Sequence, residues 1–404
     1  MGAVGIIAEY NPFHNGHLNQ IRKIEDMFPG EPVICVMSGN FVQRGEPAIF
    51  NKYIRTEAAL KCGAAMVIGL PFAFASASAE YFAGYAVSIL EATGIVDKIC
   101  FGSEHGEMGL LEEVARLLAF ESKAYSDSLR NNLALGMSYP KARQEAVGGL
   151  LPEAVEILSE PNNILGIEYI KAIYKQNAKL IPHTIKRQGE GYHSLNSSTD
   201  LSSATAMRAA IKSGEYSNAF KSLPTHIADI YKSQIENEMI FDFNAFSPYL
   251  HYRISTMASY DLANIAGIDE GLENAIIKVC AKYKLISEIL VELKSKRYTY
   301  TKLSRALLHI ILDLSKSDFE NYGKNKPHYI RVLGFRKEYE NLLKQMENNA
   351  KAPLILNLKN STDNLSETGR RLLEREIIAT DIYNLAAPYP MVKNFEYTQP
   401  LVIV

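Results

Sequence analysis

The stretch Gly5-Ile6-Ile7-Ala8-Glu9-Tyr10-Asn11-Pro12-Phe13-His14-Asn15-Gly16-His17 decides how the rest of the chain is read. It opens with apolar residues and carries no charge before Glu9, the pattern of a strand buried on both faces. The pattern breaks at Asn11-Pro12, because proline has no N–H to give a central sheet. Helical spacing then begins, with Leu18, Ile21 and Ile24 on one face. His14 and His17, separated by Asn15-Gly16, are therefore predicted at a strand-to-helix turn. In an open parallel sheet, that is where ligands bind.

Such a turn suits phosphate chemistry. A helix start offers unpaired N–H groups and partial positive charge. Gly16 lets backbone approach closely. Two imidazoles can donate to phosphate oxygens as charge builds in a transition state. An isolated H-x-G-H is a weak signal; its place just after the first apolar run is what gives it weight.

With 404 residues, the chain is long enough for two domains. Its 47% hydrophobic and 22% charged residues are those of an ordinary globular protein. A net charge of −2 excludes a uniformly basic nucleic-acid binder but leaves room for local patches. Cys35, Cys62, Cys100 and Cys280 form no C-x-x-C pair, so neither a zinc site nor a disulfide framework is expected. No signal peptide or membrane-length apolar run is seen, and a reducing cytoplasm is the expected setting.

Further apolar runs follow at Pro32–Ser38, Ala64–Pro71, Asp97–Glu104 and Leu180–Arg187, separated by helical stretches. This alternation predicts a doubly wound parallel α/β sheet over residues 1–215. The Gly-rich loop 38–47 falls on the same sheet edge as the His turn, and Arg44 within it serves an anion or solvent equally well. Pro140 and Pro152 read as helix breaks. Asn162 and Asn163 precede an apolar helix, where an Asn commonly caps. Ser202-Ser203-Ala204-Thr205-Ala206-Met207-Arg208 opens another helix, with serine hydroxyls at its cap and Arg208 about one turn in.

Taken together, H-N-G-H (14–17) and S-S-A-T-A-M-R (202–208) resemble the nucleotidyltransferase superfamily with the HIGH signature. The blocks E-Y-N-P-F-H-N-G-H (9–17), S-G-N-F-V-Q-R-G-E-P-A-I (38–49), S-A-S-A-E-Y-F-A (76–83), F-G-S-E (101–104) and P-N-N-I-L-G (161–166) look like the bacterial tRNA(Met) cytidine acetate ligases. The match is dense over the first 210 residues and looser beyond. The resemblance implies a Rossmann-like HIGH-type fold and a two-step reaction. Acetate and ATP give acetyl-adenylate, and the wobble cytidine of elongator tRNA(Met) takes the acetyl group. It further implies ATP contacts from Ile7, Ala8, Glu9, Tyr10, Asn11, Pro12, Phe13, His14, Asn15, Gly16, His17, Leu18, Asn19 and Gln20. Gly102, Asn162, Arg187, Gln188, Ser202, Ser203, Thr205 and Arg208 join them, with Mg²⁺ arriving on the ATP. His14 and His17 would stabilise the developing phosphate charge. No resident metal site is implied. Asn51 and Gly69 stand where the family usually has acidic residues.

From residue 216 the strand–helix alternation stops, and helical spacing such as Leu303, Leu307, Ile310 and Leu314 predicts a mainly helical region over 216–404. Residues 395–404 read as a final strand. Two segments interleave basic residues with aromatics, a composition that suits RNA and equally the solvated ends of helices. The first holds Lys294, Lys296, Arg297, Lys302 and Arg305; the second holds Lys324, Lys326, Arg331 and Arg336. Both are candidate tRNA contacts. A coenzyme-type adenylyltransferase shares the two ATP motifs but needs no such helical extension. A non-catalytic RNA binder does not need intact His14, His17 and Arg208.

Overall fold

Strand β1 (Ala3–Ala8) lies in the middle of the sheet, and its first five residues are buried. It pairs in parallel with β2 (Val33–Ser38) from Val4↔Val33 to Ala8↔Met37, and with β4 (Val96–Ser103) on its other side. Beyond β2 lies β3 (Met66–Leu70), and beyond β4 lies β5 (Ile181–Lys186), both parallel. The computed structural model describes residues 2–187, 203–295, 297–323, 325–361, 363–388 and 393–404. Gln188, Ser202, Lys296 and Lys324, all candidate site residues, lie outside the described residues.

The apolar runs are long because both sheet faces are covered. On one face pack α1 (Asn15–Met27) and α2 (Lys52–Lys61), with Ile21, Ile24, Ala58 and Leu60 against Val4, Ile6, Cys35 and Val67. On the other pack α3 (Ala79–Ala92) and α4 (Pro161–Gln176), which bury Phe82, Leu90, Ile167 and Ile170 with Ile34, Val36, Ile68 and Phe101. Helix α5 (Ala204–Lys212) adds Met207 and Ile211 to the first face. Pro140 sits in the first turn of a helix at Tyr139–Gly148, where its missing N–H costs nothing, so it starts a helix instead of breaking one. All four cysteines are free and buried.

The region beyond 216 is mainly helical, yet it also extends the sheet. Strand β6 (Ile330–Phe335) pairs antiparallel with β3, from Met66↔Phe335 to Gly69↔Arg331, so the sheet is mixed. Among the described residues the order is β5-β4-β1-β2-β3-β6-β7, with β7 being Leu354–Ile355. The expected terminal strand shrinks to β8 (Val402–Ile403), which pairs with β6. Phe395–Tyr397 is instead a 3₁₀ turn that sends Glu396 into the interior. Helix α6 (Tyr300–Leu312) and helix α7 (Glu367–Asn384) pack the remainder against the α3–α4 face. Asn51 caps α2 by accepting from Tyr53 N and Ile54 N at 3.0 and 3.1 Å. An aspartate would do the same work there. Gly69 pairs with Arg331 across β3 and β6, and nothing in the structure explains the departure at that position. Among the described residues, no helix is long and apolar enough to cross a membrane.

Candidate active site

The His turn joins the carboxyl end of β1 to α1, and each of its parts is held. Arg208 donates to the Asn11 carbonyl at 2.8 Å, and Asn11 Oδ1 accepts from Ile49 N at 2.8 Å. Phe13 is buried, with its backbone N–H on the Tyr231 hydroxyl at 3.2 Å. His14 is the N-cap of α1. Its Nδ1 accepts from Gly16 N at 3.0 Å, while His17 Nδ1 accepts from His14 N at 3.2 Å. The two rings stack with centroids 3.8 Å apart.

This geometry corrects one expectation. The start of α1 was expected to offer bare N–H groups, but Asn15 N donates to Ser222 O, Gly16 N to His14 Nδ1, and His17 N and Leu18 N to His14 O. What the turn offers an anion is imidazole. With each Nδ1 accepting from backbone, the neutral rings carry their protons on Nε2. Burial and the nearby Arg187 and Arg208 cations hold His14 down to about 3. Burial, His14 and Arg187 hold His17 well below the usual imidazole value.

Both rings line a cavity of about 300 Å³ at the carboxyl ends of β1 and β4. Ile7, Ala8, Glu9, Tyr10, Asn11 and Gln20 line it from the first segment, and Gly102, Asn162, Arg187, Ser203, Thr205 and Arg208 from the others. Pro12, Phe13, Asn15, Gly16, Leu18 and Asn19 do not line it. Phe13 packs under the turn against Tyr10 and His17 at 4.8 and 5.4 Å. Asn15 ties the turn to residues 221–222. These residues shape the turn from behind.

Charge in the cavity is weighted toward cations: Arg44, Arg187 and Arg208 against Glu9. Arg208 is fixed by Asn11 O and by Thr205 Oγ1 at 3.2 Å. Ser203 caps α5 by accepting from Ala206 N at 3.2 Å. Neither Asn162 nor Asn163 caps α4. The carboxylate of Glu104, from the block after β4, accepts from Asn163 N at 2.9 Å and from the Asn162 side chain, while Asn163 Oδ1 accepts from His105 N at 3.0 Å. Asn162, held in this way, also lines the cavity. Among the described residues no group of three or more His, Cys, Asp or Glu side chains stands ready to hold a metal.

Several residues that the sequence did not single out build the site. Arg55, fully buried on α2, donates to the carbonyls of Phe50, Ser38, Gly39 and Glu9, tying together the ends of β1 and β2. Its burial pulls the guanidinium down to about 10. Asn40, in the loop after β2, accepts from Lys52 N at 2.8 Å and donates to Thr380 at 3.3 Å. Lys52 is buried between Glu376 and Glu396.

The two basic segments beyond 216 fare differently. Arg305 packs on the loop after β2, donating to Gln43 O at 3.3 Å, and its neighbour Ser304 donates to Gly45 O at 3.0 Å. Gly45 has φ +78°, and a Cβ there would lie 2.4 Å from Arg305 N. Lys302 is half-exposed near Asp269 and over the Tyr298 ring, Arg297 pairs with Glu270, and Lys294 is exposed after the helix at Ile286–Leu293. In the second segment Lys326 is exposed. Arg331, expected on an RNA-facing surface, is only 7% exposed and is paired with Glu396 and the Tyr53 hydroxyl. It is a strand residue neutralised inside the core and not a surface cation for tRNA phosphates. Arg336 pairs with Glu338, and its N–H meets Ala65 O just before the amino end of β3, away from the cavity at the carboxyl ends of the strands.

A doubly wound sheet whose first crossover carries paired histidines at the helix start defines a nucleotidyl transferase of the HIGH class. The family described as HIGH Nucleotidyl Transferase matches residues 1–398. Two proteins named tRNA(Met) cytidine acetate ligase are similar along nearly all or all of their length. That of Acetivibrio thermocellus is 38% identical with 100% of both chains covered, and that of Halothermothrix orenii is 35% identical with 96% of both. The crystal structure of Thermotoga maritima TmcAL bound with alpha-thio ATP superposes with a TM-score of 0.93 at 30% identity, over 100% of both chains. The chain belongs to the tRNA(Met) cytidine acetate ligase family of HIGH nucleotidyl transferases.

Proposed function

We propose that this chain activates acetate with ATP and transfers the acetyl group to the exocyclic amine of the wobble cytidine in elongator tRNA(Met), in the cytoplasm where that RNA resides. The observation that carries the reading is the pair of stacked, neutral imidazoles presenting Nε2–H to a cavity ringed by arginines. The full-length relatives that bear this activity in their name support it.

In the first step an acetate oxygen attacks the α-phosphorus of ATP. An O–P bond forms, the bond to the bridging oxygen of the β-phosphate breaks, and pyrophosphate leaves with the electron pair. The carboxylate has no proton to lose, so a general base has nothing to do. In-line positioning and neutralisation of the phosphate charge supply the rate. His14, His17, Arg187 and Arg208 do that work, each a donor placed before reaction. In the second step the cytidine amine attacks the acyl carbon, the C–O bond to AMP breaks, and the amine releases a proton.

Mg²⁺ is held at nucleotide sites through phosphates and one or two carboxylates. Glu9, the carboxylate of this cavity, fits that donor set, with Oε1 fixed by Gln43 N at 2.8 Å. When bound, the ion screens the triphosphate. The exposed Lys294, Arg297 and Lys326 and the half-exposed Lys302 are the proposed contacts to tRNA phosphates.

Incubation with ATP and labelled acetate, with and without tRNA(Met), tests the reading. ATP-dependent labelling of the RNA is expected. Labelling that requires acetyl-coenzyme A, or adenylyl transfer to a coenzyme precursor, would overturn it.

A further inference from the structure

The cavity has a second character away from its arginines. Its inner wall is apolar: Ile7, Phe82, Phe101 and Tyr169 are all buried. Tyr169 lies seven residues beyond Asn162 on α4, about 10 Å deeper along the helix axis. Its ring tilts against Phe101 at 5.7 Å. Tyr169 is 4% exposed and lines the cavity. A tyrosine on a cavity wall presents an apolar ring with one polar handle, which suits a small ligand with an apolar end and a polar one.

Gly102, Asn162 and Arg187, the residues proposed to meet the nucleotide, line the same cavity, and a Cβ at Gly102 would lie 3.2 Å from Arg187 Cγ. With the nucleotide on those residues and its phosphates at His14 and Arg208, as proposed above, the apolar wall of Ile7, Phe82 and Tyr169 is left for the nucleophile. Burial and the nearby Glu9 charge both raise the Tyr169 phenol, which keeps its proton and acts as a donor.

We propose that the Tyr169 hydroxyl donates to the carboxylate of the acyl substrate, and that the Phe82 ring closes the apolar wall so that a two-carbon acid fits and longer ones do not. This rests on the acetate-activating reading above. Tyr169 is a substrate-binding residue, and Phe82 determines acyl size.

Acyl-dependent ATP–pyrophosphate exchange without tRNA tests the proposal, using acetate, propionate and butyrate on the full chain. Tyr169→Phe is expected to raise the KM for acetate about tenfold or more while the KM for ATP stays within twofold. Phe82→Ala is expected to shift the propionate-to-acetate ratio of kcat/KM upward by about tenfold or more, through room for one methylene. ATP binding by equilibrium dialysis and a thermal melt establish that each variant is folded. An unchanged acetate KM in Tyr169→Phe, or a rise in the ATP KM alone, overturns the hydroxyl's role. An unchanged acyl preference in Phe82→Ala overturns the size limit. Absence of any acetate-dependent exchange in the unaltered protein would instead bring down the acetate reading itself.

Discussion

His17 Nδ1 accepts the backbone N–H of His14 at 3.2 Å, while His14 Nδ1 accepts that of Gly16 at 3.0 Å, so each imidazole of the turn is committed to one tautomer by the chain around it. Preset donors of this kind stabilise a transition state because nothing reorients during the reaction. His17→Ala is expected to lower the rate of acetate-dependent pyrophosphate release by about 10²–10³-fold, with little change in melting temperature. Nitrogen NMR of the unaltered protein should show the Nε2–H form at both rings; a resident Nδ1–H would contradict the geometry.

The same burial gives a pH dependence. His14 titrates at about 3 in the folded chain against 6.5 for a free imidazole. Its lowered value means that the unfolded chain binds the proton more readily. The stability it contributes is therefore full above pH 6.5 and is lost as pH falls toward 3. His309, held to about 4 by burial, adds to the slope in the same direction. Melting temperature should fall from pH 7 to pH 5. His14→Asn, which keeps a capping oxygen but does not titrate, should show a shallower fall.

Arg208 joins the β1 turn to α5 through its hydrogen bond to Asn11 O, is steadied within α5 by Thr205 Oγ1, and also lines the cavity. Arg208→Lys keeps the charge but not the fork that spans Asn11 and Thr205. The expected outcome is an ATP KM raised by about tenfold or more, read from the ATP dependence of pyrophosphate exchange.

Glu396 is buried between Lys52 and Arg331. Glu396→Gln leaves two cations facing Glu376 alone, and breaking a buried ionic cluster in this way costs about 3–5 kcal/mol. Chemical denaturation should show a loss of that order, and activity should fall with the folded fraction.

Alanine at both Arg297 and Lys302 should weaken tRNA binding and flatten its dependence on salt, by about 0.7 in the log–log slope for each phosphate that is no longer neutralised. Acetate-dependent exchange without tRNA should be unchanged. Arg331→Ala should instead lower the melting temperature, since its guanidinium is neutralised inside the protein.

Much of the sheet was legible because its signals are local. The apolar run before Glu9, the break at Pro12 and the spacing of Leu18, Ile21 and Ile24 all fall within one strand–helix unit. The site residues that escaped notice act across distance. Glu104 closes a helix that starts more than fifty residues later, and Glu396 neutralises Lys52 from the far part of the chain. Arg331 misled for the same reason. A cation between Tyr329 and Phe335 reads as an RNA contact until an antiparallel partner and Glu396 are seen beside it. Composition reports which groups are present, whereas their pairing is set by topology.

The antiparallel seam between β3 and β6 bears on how such a chain comes to life during synthesis. The ribosome releases the His turn early, but the loop after β2 rests on Asn40 and Lys52, whose buried partners Glu376, Thr380 and Glu396 emerge only later, 324 residues after Lys52 for Glu376 and 340 after Asn40 for Thr380. A nascent chain that has reached residue 215 still lacks those partners and leaves β3 as an open edge. The order of emergence thus delays assembly of this site until residues 376–396 have also been made.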